Sequence, residues 1–339
     1  MIVVISHPED PHAACVLDLL REEQHEVLLL DLSDLPAKAA LTVDYADPAA
    51  PRVEYLPADG SAVDLAAATA VWWRRPQVPD VASVADIDAR MFTANEWNEA
   101  INGLWQLMPG RWMNPPHRDE VAGRKAHQLH VAAALGLRVP RTLITSDPDR
   151  ARAFIAATGV GRTIFKTFSA THAVWRETRL VRDAELANLD SVRVAPVIFQ
   201  EYVPVEADVR VTVVGDALFP AAIDARGTDY EVDFRMSLGQ ARTVATELPG
   251  DVAARIRALM QRLGLAYGAI DLRRTPSGEH VFLEVNTAGE FLFVEERTGQ
   301  PISRALAGWL ARSESPRPPR AAPRQAEPRR TPLSGSLPS

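Results

Sequence analysis

Three side chains with oxygen donors lie in one apolar stretch, residues 267–286. A Pro-Ser-Gly turn divides this stretch into two runs rich in Val, Ile, Leu and Phe, which is typical of a β-hairpin. If the Ser-Gly pair forms a two-residue loop, Asp271 lies opposite Glu284, and Asn286 shares their face because strand side chains alternate. Two carboxylates and an amide oxygen suit Mg²⁺ that holds phosphates. A charged surface hairpin is the alternative, but the apolar neighbours of Glu284 and Asn286 weigh against it.

Residues that could accompany such a site precede the hairpin. Lys125 is predicted to lie inside a helix over residues 118–135, and Lys166 lies in the middle of a largely apolar strand. A lysine in such a strand usually has a partner, and a phosphate would serve. Glu201 interrupts the buried strand predicted at residues 197–203. Backbone groups there could bond a planar ring while this carboxylate accepts from an exocyclic amine.

The next predicted strand alternates strictly and carries an acid and a base on one face. Asp208 and Arg210 are two residues apart, so their side chains point the same way. A polar loop follows the strand after that and contains Arg226 and Arg235. This loop is too rich in charge to belong to the core.

Two adjacent arginines, Arg74 and Arg75, end the strand predicted at residues 69–76. Neighbouring strand residues point to opposite faces, so at most one faces a given ligand unless the strand has already ended. Anion binding and a solvated strand end are both open as interpretations.

Composition and charge exclude several classes of protein. The 339 residues are 47% hydrophobic and 24% charged, which is typical of a globular protein with two or three packed domains. A net charge of -7 and a pI near 5.7 argue against a nucleic-acid-binding protein. Cys15 is the only cysteine, which excludes a disulfide framework and fits a reducing cytoplasm. We expect no signal peptide, because the first residues turn polar quickly, and no membrane span.

The order of predicted elements indicates an α/β protein. A strand at residues 2–6, a helix at 11–24 and a strand at 27–30 imply a parallel sheet covered by helices. Asn114 and the two prolines after it mark a domain boundary, because they cannot continue a helix or a central strand. Residues 313–339 are dominated by Pro, Arg, Ser and Ala, and we predict that they are disordered.

The ordered set of chemical residues resembles the ATP-grasp superfamily over residues 114–310. The set comprises a helix lysine, a strand lysine, an acidic strand end, Asp-x-Arg, and then Asp and Glu-x-Asn. Within the superfamily the chain is similar to RimK-like ligases, and closer still to the maturases of graspetides, the ω-ester and ω-amide peptides that include microviridins. The segments that carry this closer resemblance are VWWRRP, WMNPP, RKAHQL, GLRVPRTLITSDP, FQEYV, DVRVTVVG, FLEVN and TGQPI.

The resemblance implies an α+β grasp fold preceded by a pre-ATP-grasp domain with a parallel sheet. The expected division is an N-terminal domain at 1–113, a central lobe at 114–196, a C-terminal lobe with the metal site at 197–312, and the tail at 313–339. It also implies ATP and Mg²⁺ as cofactors. A homo-oligomer, either a dimer or a tetramer, is expected as well.

The resemblance further implies a role for each matched residue. Lys125 and Lys166 would neutralise the α- and β-phosphates, and Arg235 would also reach the phosphates. Glu201 and Tyr202 would hold adenine, and Asp208 would bond the ribose. The Mg²⁺ ligands would be Asp271, Glu284 and Asn286.

Arginines would bring the substrate carboxylate to the nucleotide, because a carboxylate beside a triphosphate is strongly repelled. Arg210 and Arg273 are the catalytic candidates, since each shares a strand with a matched residue. The route in could be lined by Arg74, Arg75 and Arg226.

Two departures from the family pattern concern loops. The segment at residues 167–180 should fold over the triphosphate, yet it has no glycine, although Ser169 and Thr171 could donate hydrogen bonds there. Asn286 is followed by Thr-Ala-Gly-Glu, whereas graspetide maturases commonly have proline after this asparagine.

Three functions follow from the resemblance. The first is an ATP-dependent ligase that joins Asp or Glu side chains to Ser, Thr or Lys in a ribosomal precursor peptide, made of a leader and an acidic core, through an acylphosphate. The second is a RimK-like ligase that adds an amino acid to a small molecule or a protein terminus. The third is a degenerate ATP-grasp scaffold that only binds peptide or nucleotide, and the intact lysines and metal ligands weigh against it.

Overall fold

The computed structural model describes residues 1–58, 60–168, 178–228, 236 and 238–312. Its N-terminal part contains, in chain order, β1 (Ile2–Ile5), α1 (Pro11–Glu22), β2 (Val27–Leu30), β3 (Ala39–Asp44), β4 (Arg52–Pro57), β5 (Val63–Asp64), β6 (Ala70–Trp73), α2 (Ile87–Trp105) and β7 (Arg111–Met113). Strands β2, β1, β6 and β7 form a parallel sheet in that order. The other three strands form a separate antiparallel sheet. The parallel sheet predicted from the first elements is therefore confirmed.

Helix α1 begins where the sequence provides a cap. The Asp10 carboxylate accepts a hydrogen bond from the backbone N–H of His12, and Pro11 occupies the first helical position. Apolar residues at helical spacing, such as Val16 and Leu20, are buried against the sheet. The cap places both Asp10 and His12 at the end of β1.

Only the last turns of helix α2 pack against the rest of the protein. Ile101 and Trp105 are buried. Met91, in the N-terminal half of the helix, is 60% exposed. The N-terminal half of α2 therefore contributes little to the core.

The central part contains α3 (Pro116–Ala122), α4 (Lys125–Ala134), β8 (Thr142–Thr145), α5 (Pro148–Thr158), β9 (Thr163–Lys166), β10 (Arg179–Leu180), α6 (Asp183–Ala187) and β11 (Val197–Glu201). Its sheet has the order β10-β9-β11-β8 and is antiparallel. The single helix expected at 118–135 is wrong, because Gly123 ends α3 and Arg124 adopts an extended conformation. Lys125 is consequently the first residue of α4 and does not lie inside a longer helix.

The C-terminal part contains β12 (Ala207–Val214), β13 (Ala217–Asp224), β14 (Arg242–Ala245), α7 (Gly250–Leu263), β15 (Tyr267–Arg274), β16 (His280–Asn286), α8 (Leu292–Thr298) and α9 (Ile302–Ala311). Its antiparallel sheet has the order β14-β13-β12-β15-β16. The apolar side of α7, which includes Ile256 and Leu259, packs on this sheet. The predicted α/β class is confirmed.

One hydrophobic core joins the N-terminal sheet to the C-terminal part. It contains Val4 and Leu17 from the first elements together with Tyr267, Phe291 and Leu306. Helix α9 packs on α1, β6 and β12. The four-part division of the chain stays a prediction, and residues 313–339 lie outside the described residues.

Within the described ranges, no helix combines the length and the apolar character needed to cross a membrane.

Candidate active site

The predicted metal ligands share one face of the β15–β16 hairpin. Asp271 pairs with Glu284, and Ala269 pairs with Asn286. Because side chains alternate along each strand, the two carboxylates and the Asn286 amide point to the same side of the sheet. The pairing predicted from the sequence is the one observed.

The turn that precedes this pairing differs from the prediction. The backbone N–H of Thr275 donates to the carbonyl of Glu279 over 2.9 Å, so the loop contains three residues and not two. Gly278 takes a φ of 82°, as a three-residue loop of this kind favours. A register shift between Asp271 and Leu272 compensates for the longer loop. The expected pairing is therefore reached by a different route.

Each carboxylate of the hairpin face is accompanied by a cation from a neighbouring element. Lys125, at the start of α4, donates a hydrogen bond to Glu284. The Nε atom of Arg210 lies 3.0 Å from an oxygen of Asp271, because β12 pairs these residues directly across from β15. Both Arg210 and Asp271 are buried. The tertiary structure thus brings together two anions and two cations that the sequence places far apart.

The donor set fits Mg²⁺ bound together with phosphates. No group of three or more His, Cys, Asp or Glu residues lies close enough to hold a metal within the described part of the chain. Mg²⁺ is commonly held by one or two carboxylates, and substrate phosphates and water complete its coordination. Asp271 and Glu284 could supply the two carboxylates. The Asn286 oxygen accepts from the Ala288 N–H at 3.0 Å, and an amide oxygen has a second lone pair to offer.

A second buried ion pair lies beside the first on β12 and β15. Two guanidinium nitrogens of Arg273 reach the two oxygens of Asp208, at 2.8 and 3.2 Å. Arg273 also donates to the carbonyl of Val203 at 3.4 Å. The sequence did not predict this bidentate pair. The catalytic role of Arg273 and the ribose contact of Asp208 stay predictions, and each residue has a structural partner besides.

The predicted adenine-binding residues lie at the end of β11. The Glu201 carboxylate accepts from the backbone N–H of Arg141 at 3.1 Å, and a nitrogen of Arg138 lies 3.8 Å from it. The backbone N–H groups of Glu201 and Tyr202 donate to the carbonyls of Arg141 and Arg162. If adenine bonds the backbone at the end of β11, it must therefore use groups other than the N–H donors of Glu201 and Tyr202.

The remaining predicted residues occupy different settings. Lys166 is the last residue of β9, whereas the sequence predicted it in the middle of a strand. Arg226 forms a bidentate pair with Asp224 at 2.8 and 2.7 Å, and this hydrogen bonding lowers the pKa of Asp224 to about 2. The following predicted site residues lie outside the described residues: Arg235, Ser169 and Thr171.

Two models of known families match the chain. The model of the RimK-like ATP-grasp domain matches residues 122–310, and the model of the MvdD pre-ATP grasp domain matches residues 1–120. The chain belongs to the RimK-like ATP-grasp family. The resemblance seen in the sequence is thereby confirmed for both parts of the chain.

Relatives of this ATP-grasp protein include a curated protein and solved structures. A "Probable alpha-L-glutamate ligase" from Klebsiella pneumoniae is 32% identical over 199 residues, which span 57% of this chain and 64% of that relative. The macrocyclase MdnC from Microcystis aeruginosa, bound with precursor peptide MdnA, has a TM-score of 0.81 at 26% identity, with 92% of this chain and 99% of MdnC covered. The ATP-grasp ligase PsnB, complexed with a phosphomimetic variant of minimal precursor, Mg and ADP, has a TM-score of 0.74 at 25% identity, with coverage of 91% and 97%.

The two adjacent arginines of this ATP-grasp protein lie beyond the end of β6, so the strand predicted to continue to residue 76 is too long. Arg74 is 1% exposed, and it donates to Asp10 at 3.1 Å and to the carbonyl of Gly289 at 3.1 Å. Arg75 forms a partly exposed ion pair with Glu290 at 3.0 Å. That Arg74 lines a substrate route stays a prediction; its contacts with the carbonyls of Ala288 and Gly289 anchor the loop after Asn286.

A cleft of about 920 Å³ opens beside this loop. It lies at the carboxyl ends of β1, β2 and β6, where ligands of parallel α/β sheets commonly bind. Burial raises the pKa of Asp119 in its wall, although hydrogen bonds from Thr287 and Asn114 oppose the shift. Residues lining the cleft include His7, Asp31, Arg75, Gln77, Asp119 and Ala288.

Two buried amide side chains, those of Asn114 and Gln128, were not predicted as site residues from the sequence. Asn114 donates to the carbonyl of Tyr267 at 3.0 Å and accepts from its N–H at 2.9 Å. Gln128 bonds to β16 from one helical turn beyond Lys125. Both belong to segments of the family resemblance, WMNPP and RKAHQL. A polar residue at a core-facing position of such a segment was the available signal.

Proposed function

We propose that this protein is an ATP-dependent ligase that joins side-chain carboxylates of a ribosomal precursor peptide to hydroxyl or amine side chains of the same peptide. The observation that supports it most is the hairpin face where Asp271 and Glu284 lie opposite each other, accompanied by Arg210 and Lys125. The likeness to macrocyclases solved with precursor peptides supports the peptide as substrate. The chain spans 64% of the length of the Klebsiella relative, whose name is that of a glutamate ligase and not of a macrocyclase.

ATP bound with Mg²⁺ would supply the phosphoryl group that activates a substrate carboxylate as an acylphosphate. Asp271, Glu284 and Asn286 would hold the metal. Because Lys125 already reaches Glu284, its ammonium is placed to neutralise phosphate oxygens that share the same metal. Arg210 approaches the face from the other side and is the better placed cation for the incoming carboxylate. Arg273 is less suited to that task, since it already holds Asp208.

The peptide would enter past the cleft beside the Asn286 loop. Arg75 lies at this cleft, and its ion pair with Glu290 is partly exposed, so an acidic peptide side chain can compete for it. Arg226 is exposed with its partner Asp224 and can be reached in the same way. Arg74 would shape the entrance by holding the loop in place.

Mass spectrometry tests the proposal directly. The full chain is incubated with a candidate precursor, ATP and Mg²⁺, and each crosslink is expected to remove the mass of one water. Replacing Glu284 with Gln removes a metal ligand, so we expect loss of detectable turnover with the fold preserved. Glu279→Gln is the matched control, because Glu279 lies on the same hairpin and pairs instead with Arg138. A wild-type rate in Glu284→Gln would show that the metal assignment is wrong.

A RimK-like amino acid ligase is the second candidate, and the 32% identity to the probable glutamate ligase favours it. Incubation with a free amino acid distinguishes the two functions. A product that gains the mass of an amino acid residue supports the second candidate and contradicts the first. Nucleotide binding without ADP formation, in the presence of every precursor tested, would instead support a scaffold.

A further inference from the structure

The strand that carries two predicted metal ligands lies at the edge of its sheet. Strand β16 pairs with β15 on one side, and no further strand of the described chain follows on the other. An edge strand exposes N–H and C=O groups that need partners. Near the turn the backbone N–H of Phe282 donates to the carbonyl of Arg138 at 2.8 Å, and nearer the end of β16 the partner is a side chain of α4.

Gln128 takes the place of a neighbouring strand at one residue, Val285. Its side-chain oxygen accepts from the N–H of Val285 at 3.0 Å, and its nitrogen donates to the carbonyl of Val285 at 2.9 Å. The same nitrogen donates to the carbonyl of Ala122 at 2.6 Å. Gln128 is only 3% exposed, so these bonds are formed away from water.

Val285 separates Glu284 from Asn286, so the bond is made between two proposed ligands. Lys125, three residues before Gln128 on the same helix, contacts Glu284. Helix α4 therefore holds two consecutive residues of β16. Lys125 pairs with the Glu284 carboxylate, and the Gln128 side chain forms two hydrogen bonds with the backbone of Val285.

The hairpin turn cannot fix the register of this segment. Next to the turn, Arg273 pairs with Val281 and Leu272 with Phe282. Continued without interruption, this register would place Leu283 opposite Asp271. The observed shift places Glu284 there instead. A slip of one residue would turn Glu284 to the other face of the sheet, so something beyond the turn must hold the strand.

We propose that Gln128 is a positioning residue that holds the end of β16 in the shifted register, with Glu284 and Asn286 on the face of Asp271. The inference rests on the proposed function for the meaning of that face as a metal site. Gln128 touches neither metal nor substrate. It acts through the backbone of the ligand strand.

Replacing Gln128 with Leu removes both bonds to Val285 and keeps a side chain of similar size. We expect the Mg²⁺ concentration needed for half-maximal binding of a non-hydrolysable ATP analogue to rise roughly 10- to 100-fold, as is usual when a partner of a metal ligand is lost. Saturating Mg²⁺ should restore nucleotide binding in Gln128→Leu and should not restore it in Glu284→Gln. Isothermal titration calorimetry on the full chain measures this without any precursor peptide.

Gln300→Leu is the matched control, because the Gln300 side chain also bonds a backbone carbonyl, that of Pro220, away from the metal face. It should leave the Mg²⁺ dependence unchanged. An unchanged Mg²⁺ dependence in Gln128→Leu would overturn the proposal, and so would an equal shift in Gln300→Leu.

Hydrogen exchange provides a second measurement that is independent of function. The Val285 amide should be protected in the wild type and should exchange faster in Gln128→Leu, with β12 unchanged. If Gln128→Leu does not fold, Gln128→Glu takes its place, because it retains the acceptor for the Val285 N–H and loses the donor to the carbonyl. It should keep Val285 protected and still raise the Mg²⁺ requirement, and an unchanged requirement would overturn the proposal. A wild type that binds Mg²⁺ and nucleotide but crosslinks no precursor would contradict only the proposed function.

Discussion

Two arginine–aspartate pairs lie side by side between β12 and β15, and they differ in geometry. Arg273 holds both oxygens of Asp208, whereas Arg210 approaches Asp271 through Nε. All four residues are buried. The bidentate pair has the geometry of a structural contact.

Breaking the bidentate pair should be strongly destabilising. Arg273→Met leaves the buried Asp208 carboxylate without its guanidinium, and we expect the free energy of unfolding to fall by about 3–5 kcal/mol. The double variant Asp208→Leu/Arg273→Met removes both charges and should recover most of that loss. Urea denaturation of the two single variants and the double variant measures the coupling. Additive effects of the two single changes would contradict a structural pair.

A buried histidine should make stability depend on pH. Burial lowers the pKa of His12 to about 4, with Asp10, Glu290, Arg74 and Arg75 around it. The unfolded chain titrates near 6.5, so it binds more protons than the folded chain between these values. The stabilisation is complete above pH 6.5 and is lost as the pH falls towards 4.

We therefore expect the free energy of unfolding to fall by about 2 kcal/mol between pH 6.5 and pH 5, since one pKa unit corresponds to about 1.4 kcal/mol. His12→Gln should show a smaller decrease over the same interval. Urea denaturation at several pH values provides the measurement. Parallel pH profiles in the two proteins would exclude His12 as the source.

At the scale of elements, the hairpin of β15 and β16 shows that a correct pairing can follow from an incorrect turn. A two-residue loop and an uninterrupted ladder place Asp271 opposite Glu284. A three-residue loop and one register shift give the same result. Register beyond an irregularity depends on what packs against the strand, here helix α4.

The loop after β16 should tolerate no added side chain at Gly289. A Cβ there would lie 2.3 Å from the Cβ of Ala269, the residue of β15 that pairs with Asn286. We expect Gly289→Ala to lower stability by about 1–3 kcal/mol and to reduce ligase activity, because the loop must move away from the sheet. Gly103→Ala is the control, since nothing lies near its Cβ in α2, and it should stabilise the protein slightly. Thermal denaturation and ligation assays of both variants test this, and a wild-type melting temperature for Gly289→Ala would contradict the packing argument.

At the scale of the whole molecule, the N-terminal sheet and the C-terminal part are joined by a common core. Leu17 of α1 and Leu310 of α9 belong to the same buried cluster. The guanidinium of Arg111 lies 4.0 Å from the ring centre of Trp309. Arg74 adds a buried polar link from the residue after β6 to the loop after Asn286.

This shared core predicts that the N-terminal domain is unstable alone. A fragment of residues 1–113 exposes the surface that α9 covers, so it should bind a hydrophobic dye and unfold without a cooperative transition. A fragment of residues 1–312 keeps α9 and should unfold in one transition. Urea denaturation followed by tryptophan fluorescence compares the two fragments. A cooperative transition in the shorter fragment would show that the domains are independent.

Sequence patterns were sufficient where the physics is local. An alternating pattern predicts β12, runs rich in Val, Ile, Leu and Phe predict β15 and β16, and the first apolar segments predict α1. The order of lysines and carboxylates indicates the ATP-grasp family. Local patterns failed at interruptions. Helices α3 and α4 read as one helix, because apolar spacing alone does not show that Arg124 leaves the helical conformation.

The sequence by itself was enough to predict Asp271, Glu284 and Asn286 as metal ligands, since their types and their alternation along two strands are local properties. Only the tertiary structure decided which charges those residues meet. Asp208 and Arg273 are 65 positions apart, and Lys125 and Glu284 are 159 apart. Such pairs depend on how whole elements pack, which no spacing along the chain encodes. The same reason applies to the register of β16, where a glutamine on a distant helix holds the strand.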